Sequence, residues 1–234
     1  MTQIAPGVYT MKQNKGGHVH AFLLEDGTDL TLIDTLFNTD ARQVLDRIGS
    51  IGRTIEDLKR IVLTHGHRSH LGGLATLKRL SGATVYSHEW EADIIAGERP
   101  AQPVTIIPMR PLSTYWRVYY LQFGAALGRG KHPPCPIDSA LKDEDMVGPV
   151  RVLHTPGHTP GHLAFWWPER RVLFAGDAIA TYPEFEAGWP AFNLNPTRQR
   201  TSIRRMADLE AEVVAVGHGD PITGGATERL HSLV

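Results

Sequence analysis

Three histidines stand within six residues of THGHRSHLGG: His65, His67 and His70, at i, i+2 and i+5. Ordinary packing has no use for so many imidazoles so close together. In the neutral form these rings are ligands for zinc, and also for iron or manganese. His65 and His67, two apart in an extended segment, point the same way and can chelate one ion. His70, three residues further on, would reach a neighbouring ion.

Other candidate ligands recur in comparable places. His158 lies in HTPGHTPGH, Asp177 in LFAGDA and His218 in VVAVGHGD. Each follows an apolar run that reads as a buried strand, as KRIVLT does before His65. Loops after strands are where binding and catalytic groups concentrate. If those strands share one sheet edge, five histidines and an aspartate converge. A single histidine at a strand end is more often a surface residue than a ligand, but such a set after four strands is hard to explain that way. Paired metal sites hold ions about 3.5 to 4 Å apart, commonly with a bridging carboxylate, and Asp177 is the candidate bridge. His154 and His162, on either side of His158, are expected to stand behind the ligands or simply to pack. His18, His20, His88, His132 and His231 fall outside the expected ligand set.

The elements that must position these residues alternate in type. VYT, HVHAFLLED and DLTLIDT read as strands, with DGTD a hairpin signal. Thr39 to Ile48 has helical apolar spacing, and Gly49 follows as a stop. Thr54 with Asp57 has the capping-box pattern. KRIVLTH is a short β-branched strand, LGGLATLKRL a helix, ATVYS a strand and HEWEADIIAG another helix. After Arg99 the pattern breaks. Residues 99–148 are rich in proline and carry the aromatic run STYWRVYYLQF, too patchy for a core of their own. They are expected to be an insertion in a single domain spanning 1–234. VRVLHT, HLAFWW and RVLFAG resume as strands, PTRQRTSIRRMADL is a helix and EVVAVGHG a last strand. Two β-rich halves, each with helices, predict an α/β (α+β) protein in which two sheets pack together with helices outside.

Composition narrows the function classes. A chain of 234 residues buries about 70% of its unfolded surface, so it needs no disulfides to fold. Hydrophobic residues at 41% and charged residues at 21% are those of a soluble globular protein. A net charge of -1 with no long run of one sign argues against a dedicated nucleic-acid or membrane binder. Arg198, Arg200, Arg204 and Arg205 read as a solvated helix face. The start, MTQIAPGVYTMKQ, has no apolar signal region, and no stretch approaches the roughly 20 apolar residues of a membrane span. Cys135 is the single cysteine, which excludes an intrachain disulfide and a cysteine-based zinc site and fits a cytoplasmic setting. GRGKH lacks the residues of a phosphate-binding loop, and no GxGxxG or GxSxG is present.

HGHRSH, TPGHTPGH, AGDA and GHGD, in this order and spacing, resemble the metallo-β-lactamase-fold hydrolases. The resemblance runs from about Val8 to the end, apart from 99–148. The four motifs together are specific, whereas HxHxxH alone is weak. The resemblance implies an αββα sandwich of two mixed β-sheets flanked by helices, with a two-metal site at one edge. It implies His65, His67 and His158 as ligands of the first metal, Asp177 as the bridge, and His70 and His218 as ligands of the second. It implies zinc, one or two ions per chain, with iron or manganese as other candidates.

One position departs from the family pattern His-x-His-x-Asp-His: Ser69 stands where the aspartate binds the second metal. Serine is neutral and a weak ligand. The first site is therefore expected to be normal and the second weakened, or filled by extra water. Ser69 also suits a cap for the helix that starts near Leu71.

What the resemblance implies for function is hydrolysis by a hydroxide held on a metal, which lowers the pKa of water from about 15.7 to near 7. Loss of the carboxylate at Ser69 could misorient that hydroxide, so Ser69 joins Asp177 in the expected catalytic set. A secreted β-lactamase is disfavoured by the start of the chain, a glutathione-thioester hydrolase by the short stretch after His218, and an RNA-processing enzyme by the lack of basic surface. A small-molecule ester, lactone or similar acyl substrate fits best. Lactonases of this fold have a tyrosine soon after the bridging aspartate, and Tyr182, five residues after Asp177, is the candidate. The aromatic run Tyr115 to Phe123 suits either a roof over an apolar substrate pocket or a homodimer contact. Two other readings stay open: a mononuclear iron enzyme like the sulfur dioxygenases of this fold, and a degenerate member that binds metal without turnover.

Overall fold

Strands carry the apolar runs of the sequence. The computed structural model describes residues 2–102, 112, 113, 116, 120 and 132–234. The first half supplies β1 (Thr2–Ala5), β2 (Val8–Gln13), β3 (Val19–Asp26), β4 (Asp29–Ile33), β5 (Leu58–Val62), β6 (Thr84–His88) and β7 (Ser139–Leu141). The second supplies β8 (Met146–Val147), β9 (Val150–His154), β10 (Leu163–Trp167), β11 (Val172–Ala180) and β12 (Val213–His218). Hydrogen-bonded neighbours run β7-β6-β5-β4-β3-β12-β11-β10-β9-β8, with β2 beside β3 and β1 beside β2. β3 and β12 pair at His218 and Val19. This narrow join is where one curled mixed sheet divides into two leaves.

Side-chain alternation along the strands shows how the leaves stack. In β3, Phe22 and Leu24 face inward and pack with Ile33 and Val62 against Val152, Phe165, Phe174 and Ala215 of the other leaf. Phe22 and Phe174 meet with ring centroids 5.4 Å apart. Leu23 of β3 faces outward, with Leu32 and Ile61, onto Val44, Ile48, Leu74 and Leu77. Those residues come from the helices Arg42–Ser50 and Leu74–Ser81. The outer face of the second leaf, through Leu173, Val214 and Val216, packs on Ile203, Met206 and Leu230, from the helices Pro196–Ala207 and Ala226–His231. Three apolar layers between helix, leaf, leaf and helix make the expected αββα sandwich.

Local chemistry sets the element ends. Asn195 accepts the Arg198 amide at 3.0 Å, and Pro196 opens the helix behind it. The capping box of Thr54 and Asp57 is present. The helix expected from Thr39 starts at Arg42, because Ala41 is left-handed at φ 55, and it continues past Gly49 to Ser50. HEWEADIIAG, expected as one helix, is a short turn at Glu89–Glu91 followed by Ala92–Ile95. LGGLATLKRL is helical from Leu74, after a separate turn at Arg68–Leu71.

The stretch 99–148 is partly built into the sheet. β7 pairs with β6 and β8 with β9, and Leu141 and Val147 enter the core between the leaves. Of the aromatic run Tyr115 to Phe123, Trp116 and Tyr120 are exposed, and the rest lies outside the described residues. Among the described residues, no helix is long and apolar enough to cross a membrane.

Candidate metal centre

The candidate ligands come from strand ends that meet at one edge. β5 leads through Leu63 and Thr64 to His65, and His218 is the last residue of β12. Asp177 was expected just after a strand but lies within β11, where the register shifts between Phe174 and Ala180 and Gly176 is left-handed at φ 52. Such a bulge re-aims the side chain beside it. The loop between β9 and β10 carries His158.

The structure brings all six expected ligands together in two groups that share Asp177. His65, His67, His158 and Asp177 form one group and His70, Asp177 and His218 the other, with the ligand atoms of each within 4.8 Å of one another. In the first, His67 Nδ1 lies 2.9 Å from His65 Nε2 and 3.0 Å from His158 Nε2. Asp177 Oδ2 is 3.5 Å from both Nε2 atoms. In the second, His218 Nε2 is 3.1 Å from Asp177 Oδ2, and His70 Nε2 is 3.4 Å from Asp177 Oδ1.

Outer partners decide which face each ring presents. His218 Nδ1 donates to the Gly17 carbonyl at 2.8 Å. His158 Nδ1 faces Asn193 Oδ1 at 3.3 Å, and the Asn193 amide donates in turn to Ala187 O. His70 Nδ1 is 2.9 Å from Asp34 Oδ2. His65 Nδ1 meets the Thr64 hydroxyl at 2.9 Å, and that hydroxyl donates to Asp34 Oδ2 at 2.8 Å. Each outer partner can accept, so in the neutral ring the inward Nε2 carries the lone pair, the form a metal takes.

Those lone pairs converge on a carboxylate. His70 Nε2 and Asp177 Oδ1 are buried and make no hydrogen bond, which is costly unless a cation sits between them. The donor set fits a divalent ion. In a tetrahedral site with bonds of about 2.0–2.1 Å, neighbouring ligands stand about 3.3 Å apart, and the separations here bracket that value.

Burial holds the His65 and His158 imidazoles well below their ordinary range and pulls His67 down to about 4. All three are neutral near pH 7. Burial opposes charge on His70 too, but Asp177 and Asp34 outweigh it and push the ring up to about 10. Burial also disfavours the Asp177 carboxylate, yet His218, His70 and His65 hold its carboxyl well below the usual range. A bound cation would replace the proton that these groups share without one.

The remaining expectations sort themselves by position. His162 stands behind Asp177: its Nε2 accepts the Asp177 amide at 3.1 Å and its Nδ1 meets Thr155 Oγ1 at 2.8 Å. His154 packs outside, its ring 4.6 Å from that of His88 and its Nε2 at Pro160 O. Ser69, in the turn Arg68–Leu71, is half-buried beside Gly16 and belongs to neither ligand group. The Tyr182 ring packs 4.0 Å from that of His18. Cys135 is buried in the core under the first leaf.

Asp34 and Asn193, which bond to His70 and His158, were not singled out from the sequence. Asp34 ends the run DLTLID, so the strand-end signal was there without a histidine to mark it. Asn193 has no such signal. Aromatic side chains wall the centre: Phe192 lies 5.6 Å from His67, and Trp189 stacks on His218 at 4.1 Å. Gly17 makes room for that indole, since a Cβ there would collide with the Trp189 ring.

Comparison with known proteins agrees with this geometry. The family model described as the metallo-beta-lactamase superfamily matches residues 14–218. The probable metallo-hydrolase YflN of Bacillus subtilis is 31% identical over 186 residues, 71% of this chain and 66% of that protein. A hydroxyacylglutathione hydrolase of Pseudomonas aeruginosa is 31% identical over 160 residues, 66% of this chain and 44% of that protein, so the match spans less than half of it. The solved structure of TTHA1623 in a di-iron-bound form aligns with a TM-score of 0.67 at 25% identity, covering 95% of this chain and 98% of that one.

Proposed function

The chain belongs to the metallo-beta-lactamase superfamily, and on that premise we propose that it is a metal-dependent hydrolase of acyl bonds in a small ester, lactone or thioester. The observation that carries the reading is the convergence of five histidines on Asp177 in two buried groups. A divalent ion held there supplies Lewis acidity and brings the pKa of water from about 15.7 to near 7.

The chain's own residues do the rest. Asp177, kept ionised, is shared by both groups, and His162 fixes its backbone. Asp34 orients His70 directly and His65 through Thr64. Phe192, Trp189 and Tyr182 form an aromatic wall that suits the acyl part of a substrate and limits water. Tyr182 contributes to that wall. A thioester is included because a relative is named a hydroxyacylglutathione hydrolase.

The test is metal content by elemental analysis on protein made without added metal, followed by turnover of ester, lactone and thioester panels. Metal in the protein with turnover of one acyl class supports the reading. Bound metal with no turnover of any class points to a ligand-binding member.

Ser69 favours one other reading. The second group has three ligands among the described residues, and Ser69 adds no charge to it. A centre that works with one iron would tolerate that loss. One iron per chain, with oxygen uptake on a persulfide and no hydrolysis, would replace the hydrolase reading.

A further inference from the structure

Glu91 is 0% exposed, in the turn Glu89–Glu91 that follows β6. A buried carboxylate is costly unless its oxygens are hydrogen-bonded. Here they are bonded to two different loops. Oε2 accepts the Gly66 amide at 3.0 Å, and Oε1 accepts the Gly161 amide at 3.0 Å. Gly66 lies between His65 and His67, and Gly161 lies between His158 and His162.

We propose that Glu91 is a positioning residue that sets the spacing of the two loops carrying the first ligand group. The inference rests on the metal-centre reading above. That group is assembled across the chain, with His67 and His158 in contact at 3.0 Å although 91 residues apart. One backbone bond, Leu163 N to Thr64 O at 2.8 Å, ties the roots of the loops. Glu91 ties them again, beside the ligands.

Close packing makes the tie stiff. A Cβ on Gly66 would lie 3.1 Å from Glu91 Oε2 and 2.9 Å from Ile94 Cγ2. A Cβ on Gly161 would lie 2.8 Å from both Glu91 Cγ and Oε1. A larger residue at either position would press on the carboxylate from its own loop. The doubled TPGH also gains a physical reason. Its first copy ends in a ligand, His158, while its second supplies the clamped amide of Gly161 and the support of Asp177 by His162.

The experiment is Co2+ binding by the full chain, read by affinity and by the visible d–d bands, which report the ligand geometry. Glu91→Gln keeps size but turns an amide donor against one of the two N–H groups. We expect Co2+ affinity about tenfold weaker, the scale of losing a partner behind a ligand, with shifted bands. Gly161→Ala strikes the same clamp from the other loop and serves if Glu91→Gln does not fold. The two effects should be less than additive when combined. Ile48→Val, a core change in a helix that holds no ligand, should leave affinity and bands alone. Wild-type affinity and bands in folded Glu91→Gln would overturn the clamp and leave the metal centre standing. A wild-type chain that takes up no Co2+ would overturn both.

Discussion

Asp34 Oδ2 lies 2.9 Å from His70 Nδ1, and the same carboxylate takes the Thr64 hydroxyl at 2.8 Å and the Thr64 amide at 2.9 Å. One buried residue thus orients a ligand of each group, His70 directly and His65 through Thr64. It does so from a left-handed backbone at φ 58, which aspartate tolerates better than most residues. Asp34→Asn should weaken metal binding by about 10- to 100-fold, measured by competition with a chromogenic chelator. Unchanged affinity would show that His70 and His65 need no such partner.

Asp177 is the residue that the two groups have in common. Asp177→Ala should remove most of the bound metal, read as ions per chain by elemental analysis. Retention of two ions would sink the shared role.

Ser69→Asp restores a negative charge beside the His70 group. Metal content should rise toward two ions per chain. An unchanged stoichiometry would mean that the serine does not limit the second group.

His20, outside the candidate ligand set, gives a pH effect of its own. It is buried, its Nδ1 meets Thr10 Oγ1 at 2.9 Å, and its Nε2 has no hydrogen bond. Burial pulls its ring down from 6.5 to about 4, with Asp220 opposing in part. Below pH 6.5 the unfolded chain takes up a proton that the folded chain refuses. The His20 contribution to stability is therefore fully present above about pH 6.5 and is lost as pH drops toward 4, by up to about 3 kcal/mol for such a shift. Denaturant melts of metal-free protein should show a slope to which His65, His67 and His158 also contribute, and His20→Asn should make it shallower by the His20 share. Equal slopes in the two proteins would remove His20 as the cause.

Much of the centre is legible in the sequence because the six candidate ligands follow four apolar runs. The rule that finds His65 after KRIVLT finds His218 after VVAV for the same reason: a buried strand must surface at its end. Asp177 departs only in detail, because a bulge lets β11 run on to Ala180. The helix Arg42–Ser50 is a small failure of periodicity, since the left-handed turn at Ala41 is not written in its spacing. Glu91 was unmarked because HEWEADIIAG reads as a helix, in which a single acidic residue carries no sign of burial.

Two properties are intrinsic to the chain: the donor chemistry of its side chains, and the two-residue alternation that sends Leu23 and Phe22 to opposite faces of β3. Those alone pointed to the candidate ligand set and to the layered class. Tertiary structure decided which ring nitrogen turns inward, which loops Glu91 joins, and that the leaves meet at Val19 and His218. Each of these depends on a contact between distant residues, such as His218 with Gly17, 201 positions apart. No local pattern encodes such a contact, because it exists only once the rest of the core has packed.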